Sequence, residues 1–296
     1  MADDATRKAY AESPTNSFVL ETYVKNLLEN SSEQAIERCI EALGILFAAL
    51  ISSENAYRKS QLGNLADRAL EILFKQTPIM TQGEDPSRAL DVLIGAWRKL
   101  ADGGNHDSGM TLVDVPTENR ERALIALSHP AGQGNMQVIR LAYDLTSLNH
   151  PYAFRQQLEL VEQLQATDYR MTPQLRLEYA ILLFLNDRSV EGDKLFRSLR
   201  KLWRESENFV QVPERLRWLR SVDGATLKTV QAFTGSDFGN RGMARVPDFG
   251  GALVQFRPEE FGFRSMKSGS RFASHVSFGH NGPFLRPVTA HATRIS

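Results

Sequence analysis

The stretch NRGMARVPDFGGALVQF, residues 240–256, decides how the end of this chain reads. Two short alternating runs, 242–246 and 252–256, flank a segment holding one proline and two glycines. That is the pattern of two strands joined by a tight connection. Successive strand side chains point to opposite faces, so Met243 and Arg245 share a face. Val254 and Phe256 likewise share one, and the expectation is that all four line the same surface. Similar runs occur over 227–233, 271–278 and 288–295, again separated by glycine or proline. Five short strands in about 70 residues are the signature of a small all-β barrel.

Upstream the texture is helical. From residue 18 to about 220, apolar residues recur at spacings of three and four, and each run ends at a breaker. The runs are 18–28, one opening at Ser31 and carrying Ile36, Ile40, Leu43 and Phe47, one with Leu62, Leu65, Ala69, Leu70, Leu73 and Phe74, and one with Leu90, Leu93, Ile94 and Trp97. Further runs cover 120–127, 136–148, 152–164, 174–185, 190–203 and 214–219, punctuated by Pro130, Pro151, Pro173 and Pro213. Short helices that cannot bury their apolar faces alone are what α-solenoids stack, and an irregular helical bundle is the alternative arrangement. The expected organisation is a polar N-terminal segment (1–17), a helical-repeat domain (18–221) and a β-barrel (222–296), an α+β multidomain chain.

The chain has no net charge, but the charge is unevenly spread. From Ala225 onward nine basic residues face four acidic ones, a net of about +5, which leaves about −5 for the rest. A basic module on an acidic body points to an anionic partner. One cysteine, Cys39, excludes an intramolecular disulfide and a cysteine-based zinc site. The polar start Met-Ala-Asp-Asp lacks the basic and apolar regions of a signal peptide. The longest apolar stretch, 43–51, is too short for a bilayer. A cytoplasmic location, with no membrane partner, is the expectation.

Two resemblances follow from particular residues. Over 174–204, the small residues Ala180 and Gly192 lie twelve apart, Phe196 follows four later, and Asn186-Asp187-Arg188 forms the turn. This pair resembles a tetratricopeptide repeat. Over 228–289 the chain resembles a cold-shock-type domain of the oligonucleotide-binding class. Val230-Gln231-Ala232-Phe233 resembles its first strand, 240–246 its first ribonucleoprotein motif and 251–256 its second. Gly269 with 272–278 resembles its fourth strand, and Gly282-Pro283 the pair before its last strand. The resemblance implies a five-stranded barrel whose face stacks unpaired bases while Lys and Arg neutralise phosphates. The chain departs from the family pattern at Ala232, Met243, Arg245 and Val254, where aromatics are usual, and keeps a ring at Phe256. Arg245 can stack through its guanidinium and Met243 through its thioether. In a second register, 254–256 is the first strand and Phe261-Gly262-Phe263 the first motif.

Nothing in the sequence assembles a catalytic or metal-binding set, and no small-molecule cofactor is implied. Cys39 reads as a buried thiol, Asp102, His106 and Asp107 as a solvated turn, and Gly132-Gln133-Gly134 as a loop lacking the lysine of a phosphate-binding motif. His275, His280 and His291 spread over the barrel, while Trp97, Trp203 and Trp218 read as helix core. Arg197, Arg200, Lys201 and Arg204, with Arg215, Arg217 and Arg220 on the next helix, could extend a basic surface. The expected function is a non-catalytic adaptor. Its barrel binds single-stranded RNA or DNA through Lys228, Arg241, Met243, Arg245, Phe256 and Arg257, and its helical repeats hold a protein partner. The alternatives are a purely protein-binding scaffold, or the sensor end of a longer multidomain protein whose catalytic unit lies upstream.

Overall fold

The computed structural model describes residues 2–14, 16–29, 112–113, 115, 117–205, 210–221, 224–238, 241–262 and 268–288, with isolated positions between 38 and 95. The loop 102–109, Trp97, His291 and much of the second to fourth expected helical runs lie outside these residues. The chain forms two compact units, Met1–Asn149 and His150–Ser296. The unit that holds the barrel therefore also contains the last three helices of the helical stretch 18–221.

The first unit is helical among its described residues. Helix α1 (Ala2–Glu12) occupies most of the segment read as merely polar. It lies against α2 (Ser17–Glu29), with Tyr10 and Tyr23 stacked at 4.7 Å between centroids and Asn26 donating to Thr6 Oγ1 at 3.2 Å. Asn16 caps α2 by accepting from the Phe18 amide at 3.1 Å. The core joins Leu20, Val24 and Leu27 to Cys39, Ala42 and Leu46, to Leu62, Leu65 and Ala69, and to Leu90, Leu93 and Ile94. Its remaining part comes from α3 (Thr117–Leu127) and α4 (Met136–Asn149). The spacings of three and four in these groups are the apolar stripe of a core-facing helix.

In the second unit, α5 (Phe154–Gln165), α6 (Pro173–Leu185) and α7 (Ser189–Glu205) precede the barrel. Thr172 caps α6, accepting from Leu175 N at 3.2 Å, and Pro173 takes the first turn, where no amide partner is lost. Helix α6 is buried almost all round, and α7 packs against it through the small–aromatic pattern seen in the sequence. A Cβ on Gly192 would stand 2.8 Å from the Ala180 carbonyl oxygen and 2.6 Å from the Phe184 ring, so only glycine fits. Asp187 carries the left-handed backbone of the turn (φ 60°), and Asn186 donates to the Phe154 carbonyl at 3.1 Å, tying α5 to the hairpin.

Five strands close into a barrel: β1 (Thr229–Phe238), β2 (Arg241–Val246), β3 (Ala252–Phe256), β4 (Arg271–Gly279) and β5 (Gly282–Pro287). Their order around the barrel is β1-β2-β3-β5-β4, antiparallel except where β3 meets β5. This closed arrangement is compatible with an oligonucleotide-binding-like fold. The interior is filled by Val230, Ala232, Ala244, Val254, Val276 and Leu285. Aromatic clusters close the two ends of β3 and β4: Phe256, Phe261 and Phe272 at one, Phe249 and Phe278 at the other. At the second end Phe184 of α6 packs on both rings, at 5.0 and 5.5 Å, so the helical hairpin plugs the barrel.

Two expectations are corrected. The fifth described strand of the barrel is Gly282–Pro287, so Gly282-Pro283 opens it rather than preceding it, and the expected run 288–295 lies, beyond Val288, outside the described residues. Prolines are tolerated because β5 meets β3 at a single bridge, leaving a side where a missing donor costs little. The segment 214–219 is not a helix: after one turn of 3-10 helix (Glu214–Leu216) it runs extended beside β4. There Leu219 N donates to Val276 O and Phe278 N to Arg217 O, both at 2.8 Å.

Candidate functional site

The antiparallel register of β2 on β3 pairs Gly242 with Phe256, Met243 with Gln255, Ala244 with Val254 and Arg245 with Leu253. Residues directly opposite share a face. The inner face therefore holds Gly242, Ala244, Val254 and Phe256, and the outer face Arg241, Met243, Arg245, Leu253, Gln255 and Arg257. This corrects the expected single surface: Met243 and Arg245 look outward, but Val254 and Phe256 look in. Phe256 is 2% exposed, so its ring is part of the core and offers no face to a ligand. The cause is Gly242, whose missing side chain leaves room for that ring. A Cβ there would lie 2.4 Å from it. Lys228 stands apart from the other expected residues, its ammonium 3.0 Å from Asp187 at the α6–α7 turn.

Following the register across the sheet finds what sequence reasoning missed. Trp218 bridges Ser277, Ser277 pairs with Phe284, Phe284 with Gln255, and Gln255 with Met243. These five residues form one row across the outer face of the barrel: two aromatic rings, a thioether, an amide and a hydroxyl. The Trp218 and Phe284 rings supply the flat apolar surfaces that Phe256 does not. Trp218 escaped notice because Leu216 and Leu219, three apart, carry the helical spacing past it. Phe284 escaped because it sits between prolines.

One step along the strands lies a row of charge. Extended two residues past the Gln255–Phe284 bridge, the parallel register brings Arg257 toward Arg286, and extended one residue past the Gly242–Phe256 pair, the antiparallel register brings Arg241 toward Arg257. Adjacent strands lie about 4.8 Å apart, and like charges directly opposite destabilise a sheet. Among the described residues one carboxylate answers this row. Glu260 accepts from Arg286 Nη1 at 2.7 and 2.8 Å and lies 3.6 Å from Arg257. The Arg286 guanidinium also lies over the Phe284 ring, 4.6 Å from its centroid.

The first row, with Arg257 and Arg286 of the second, lines an open groove of about 1180 Å3, and Arg241 lies outside that lining. Its wall is the C-terminal half of α7, fastened to the β4–β5 turn: Arg200 Nε donates to Asn281 O at 2.8 Å and Trp203 Nε1 to His280 O at 3.1 Å. Gly282 permits this approach, since a Cβ there would meet Arg200 at 3.2 Å. Trp203 is therefore core, as expected, while Trp218 lies on the groove. Of the arginine run, Arg200 enters the groove, balanced by Asp193 at 3.7 Å. Arg215 and Arg220 do not extend the basic surface. Arg215 is held by Glu178 at 2.5 Å and Gln157 at 2.7 Å, and Arg220 is 9% exposed over the Tyr152 ring.

The other candidates have structural roles. Cys39 is buried in the first unit's core, and burial pushes its thiol up to about 11, so at neutral pH it is not a thiolate. Gly132 ends a 3-10 turn against Val138 and Leu90. His275 is covered beside β1, and His280 borders the groove. Among the described residues no three His, Cys, Asp or Glu converge as a metal site, and no helix is long and apolar enough to cross a membrane. Comparison with known proteins finds no matching family model, no matching curated protein and no matching solved structure.

Proposed function

We propose that this chain is a non-catalytic adaptor whose barrel binds single-stranded RNA or DNA along the groove beside α7. The observation that carries this is the pair of neighbouring rows: Trp218, Phe284 and Met243 with Gln255 and Ser277 in one, Arg241, Arg257 and Arg286 in the other. Unpaired bases stack on aromatic surfaces regardless of sequence, each worth about 1–3 kcal/mol, and arginines alongside take the backbone phosphates. Gln255 adds a hydrogen-bonding amide beside the Phe284 ring. Of the residues first singled out, Arg241, Met243, Arg245 and Arg257 remain in this reading. Trp218 and Phe284 replace Phe256 as stacking partners, and Lys228 drops out. The barrel is read as cold-shock-like and the α6–α7 hairpin as tetratricopeptide-like, the latter supported by the fit of Gly192 against Ala180. The helical part then holds a protein partner.

A fluorescence-anisotropy titration of the full chain with labelled oligonucleotides of about 12 nucleotides at low salt tests the proposal. Binding within about 100 µM that weakens with added salt is expected. No anisotropy change for either RNA or DNA at that concentration removes the nucleic-acid reading. A purely protein-binding scaffold is favoured by one observation: Arg200, Arg217, Arg257 and Arg286 already pair with Asp193, Glu214 and Glu260 of the same chain. On that reading, partner capture survives nuclease treatment and is indifferent to Arg245→Glu.

A further inference from the structure

Glu260 occupies a peculiar position in the charged row. It is a carboxylate on a single 3-10 turn (Pro258–Phe261) that directly follows β3. Both of its oxygens receive hydrogen bonds from Arg286 Nη1, and Arg257 lies within ion-pair distance of one of them. Two guanidinium groups on neighbouring strands thus converge on one anion at the edge of the groove. A carboxylate and a phosphate both present oxygens that accept charge-assisted hydrogen bonds from guanidinium groups. Neither partner is deeply buried: the side chains of Arg286 and Glu260 are 39% and 24% exposed. Such a pair contributes little to stability and can be exchanged for another anion at small cost. The same contact accompanies the placing of the Arg286 guanidinium on the Phe284 ring, covering a surface on which a base would stack.

We infer that Arg257 and Arg286 form a phosphate seat which Glu260 fills when the groove is empty, making Glu260 an intramolecular competitor of the nucleic-acid backbone. The inference rests on the single-strand reading of the groove and adds the location of one phosphate and the group it displaces. Binding then proceeds by exchange: a backbone phosphate replaces the carboxylate on Arg257 and Arg286, and the Glu260 carboxylate turns to solvent. Removing the competitor's charge strengthens binding. It also adds one phosphate contact that is no longer offset by the chain's own anion.

The test compares the full chain with its Glu260→Gln and Glu260→Ala variants, titrated with the same labelled single-stranded oligonucleotide at several salt concentrations. Glu259→Gln serves as control, because Glu259 is exposed on the same turn and makes no ion pair among the described residues. Thermal unfolding of each protein checks that the fold is kept. Both Glu260 variants are expected to bind about two- to fivefold tighter than the wild type, the range an exposed ion pair represents. Their plots of log affinity against log salt should be steeper by about 0.7. Glu259→Gln should leave affinity within the smaller change caused by net charge alone. If the wild type binds and the Glu260 variants bind equally or more weakly with an intact fold, Glu260 positions Arg286 instead, and the competitor role is overturned while the groove reading stands. If neither wild type nor variants bind, both fall.

Discussion

Gly242 and Arg241 are neighbours in the chain and face opposite ways out of the same strand, and the two faces are built on different principles. Inside, every position is fixed by volume. The Phe256 ring fills the space that Gly242 leaves and meets Phe272 at 5.2 Å and Phe261 at 5.8 Å. Outside, Arg241, Arg257 and Arg286 stand abreast with one described carboxylate among them, an arrangement that costs the sheet stability. Close packing explains the inner face completely. Close packing does not account for the outer face; the proposed anionic ligand would.

That difference can be broken most forcefully from the inside. Phe256→Ala removes a fully enclosed ring and leaves a cavity at the end of the barrel. A loss of about 3–5 kcal/mol in the stability of the barrel unit is expected, read by urea denaturation. A loss under about 1 kcal/mol would mean that the ring is not enclosed and that its reassignment from ligand face to core is mistaken. Any fall in oligonucleotide affinity should track the unfolded fraction and vanish at temperatures where the variant is folded.

Trp218→Ala acts on the other face and should show the reverse pattern. If the indole carries a stacked base, affinity falls by roughly five- to hundredfold, the equivalent of about 1–3 kcal/mol. Stability should change less than it does for Phe256→Ala, because Trp218 is only partly buried beside β4. Trp218→Phe, which keeps an aromatic face, should recover much of the affinity. Equal affinities for all three proteins would sever the row of rings from binding.

How far the sequence foretold this division depends on which residues carried the signal. The helix boundaries near Thr172-Pro173 and the close α6–α7 pair were readable, because capping and the Ala180–Gly192 approach depend on residues near in sequence. The strand count and the runs forming β2 and β3 were readable from alternation. What alternation cannot supply is which set faces inward. Here the small residues Gly242 and Ala244 opposite the larger Phe256 and Val254 were the available clue, since a narrow barrel interior pairs small with large. The strand Gly282–Pro287 was passed over because Pro283 and Pro287 read as punctuation. The aromatic row was invisible because its members come from positions 218 to 284 and meet only through cross-strand register.

The mildest test of the two-face contrast concerns Arg241. It is exposed and lies opposite Arg257, which already shares Glu260 with Arg286. Arg241→Ala removes one member of a like-charged set, so stability should stay within about 0.5 kcal/mol of the wild type or rise slightly, not fall. Affinity for a single-stranded oligonucleotide should nevertheless drop, with the slope of log affinity against log salt shallower by about 0.7, the signature of one lost phosphate contact. Denaturation and anisotropy on the same preparation separate the two effects. Higher or equal stability together with weaker, less salt-sensitive binding is what a surface arranged for an anionic ligand produces. Lower stability with unchanged binding is what an ordinary solvated strand produces, and it would place Arg241 outside the interface.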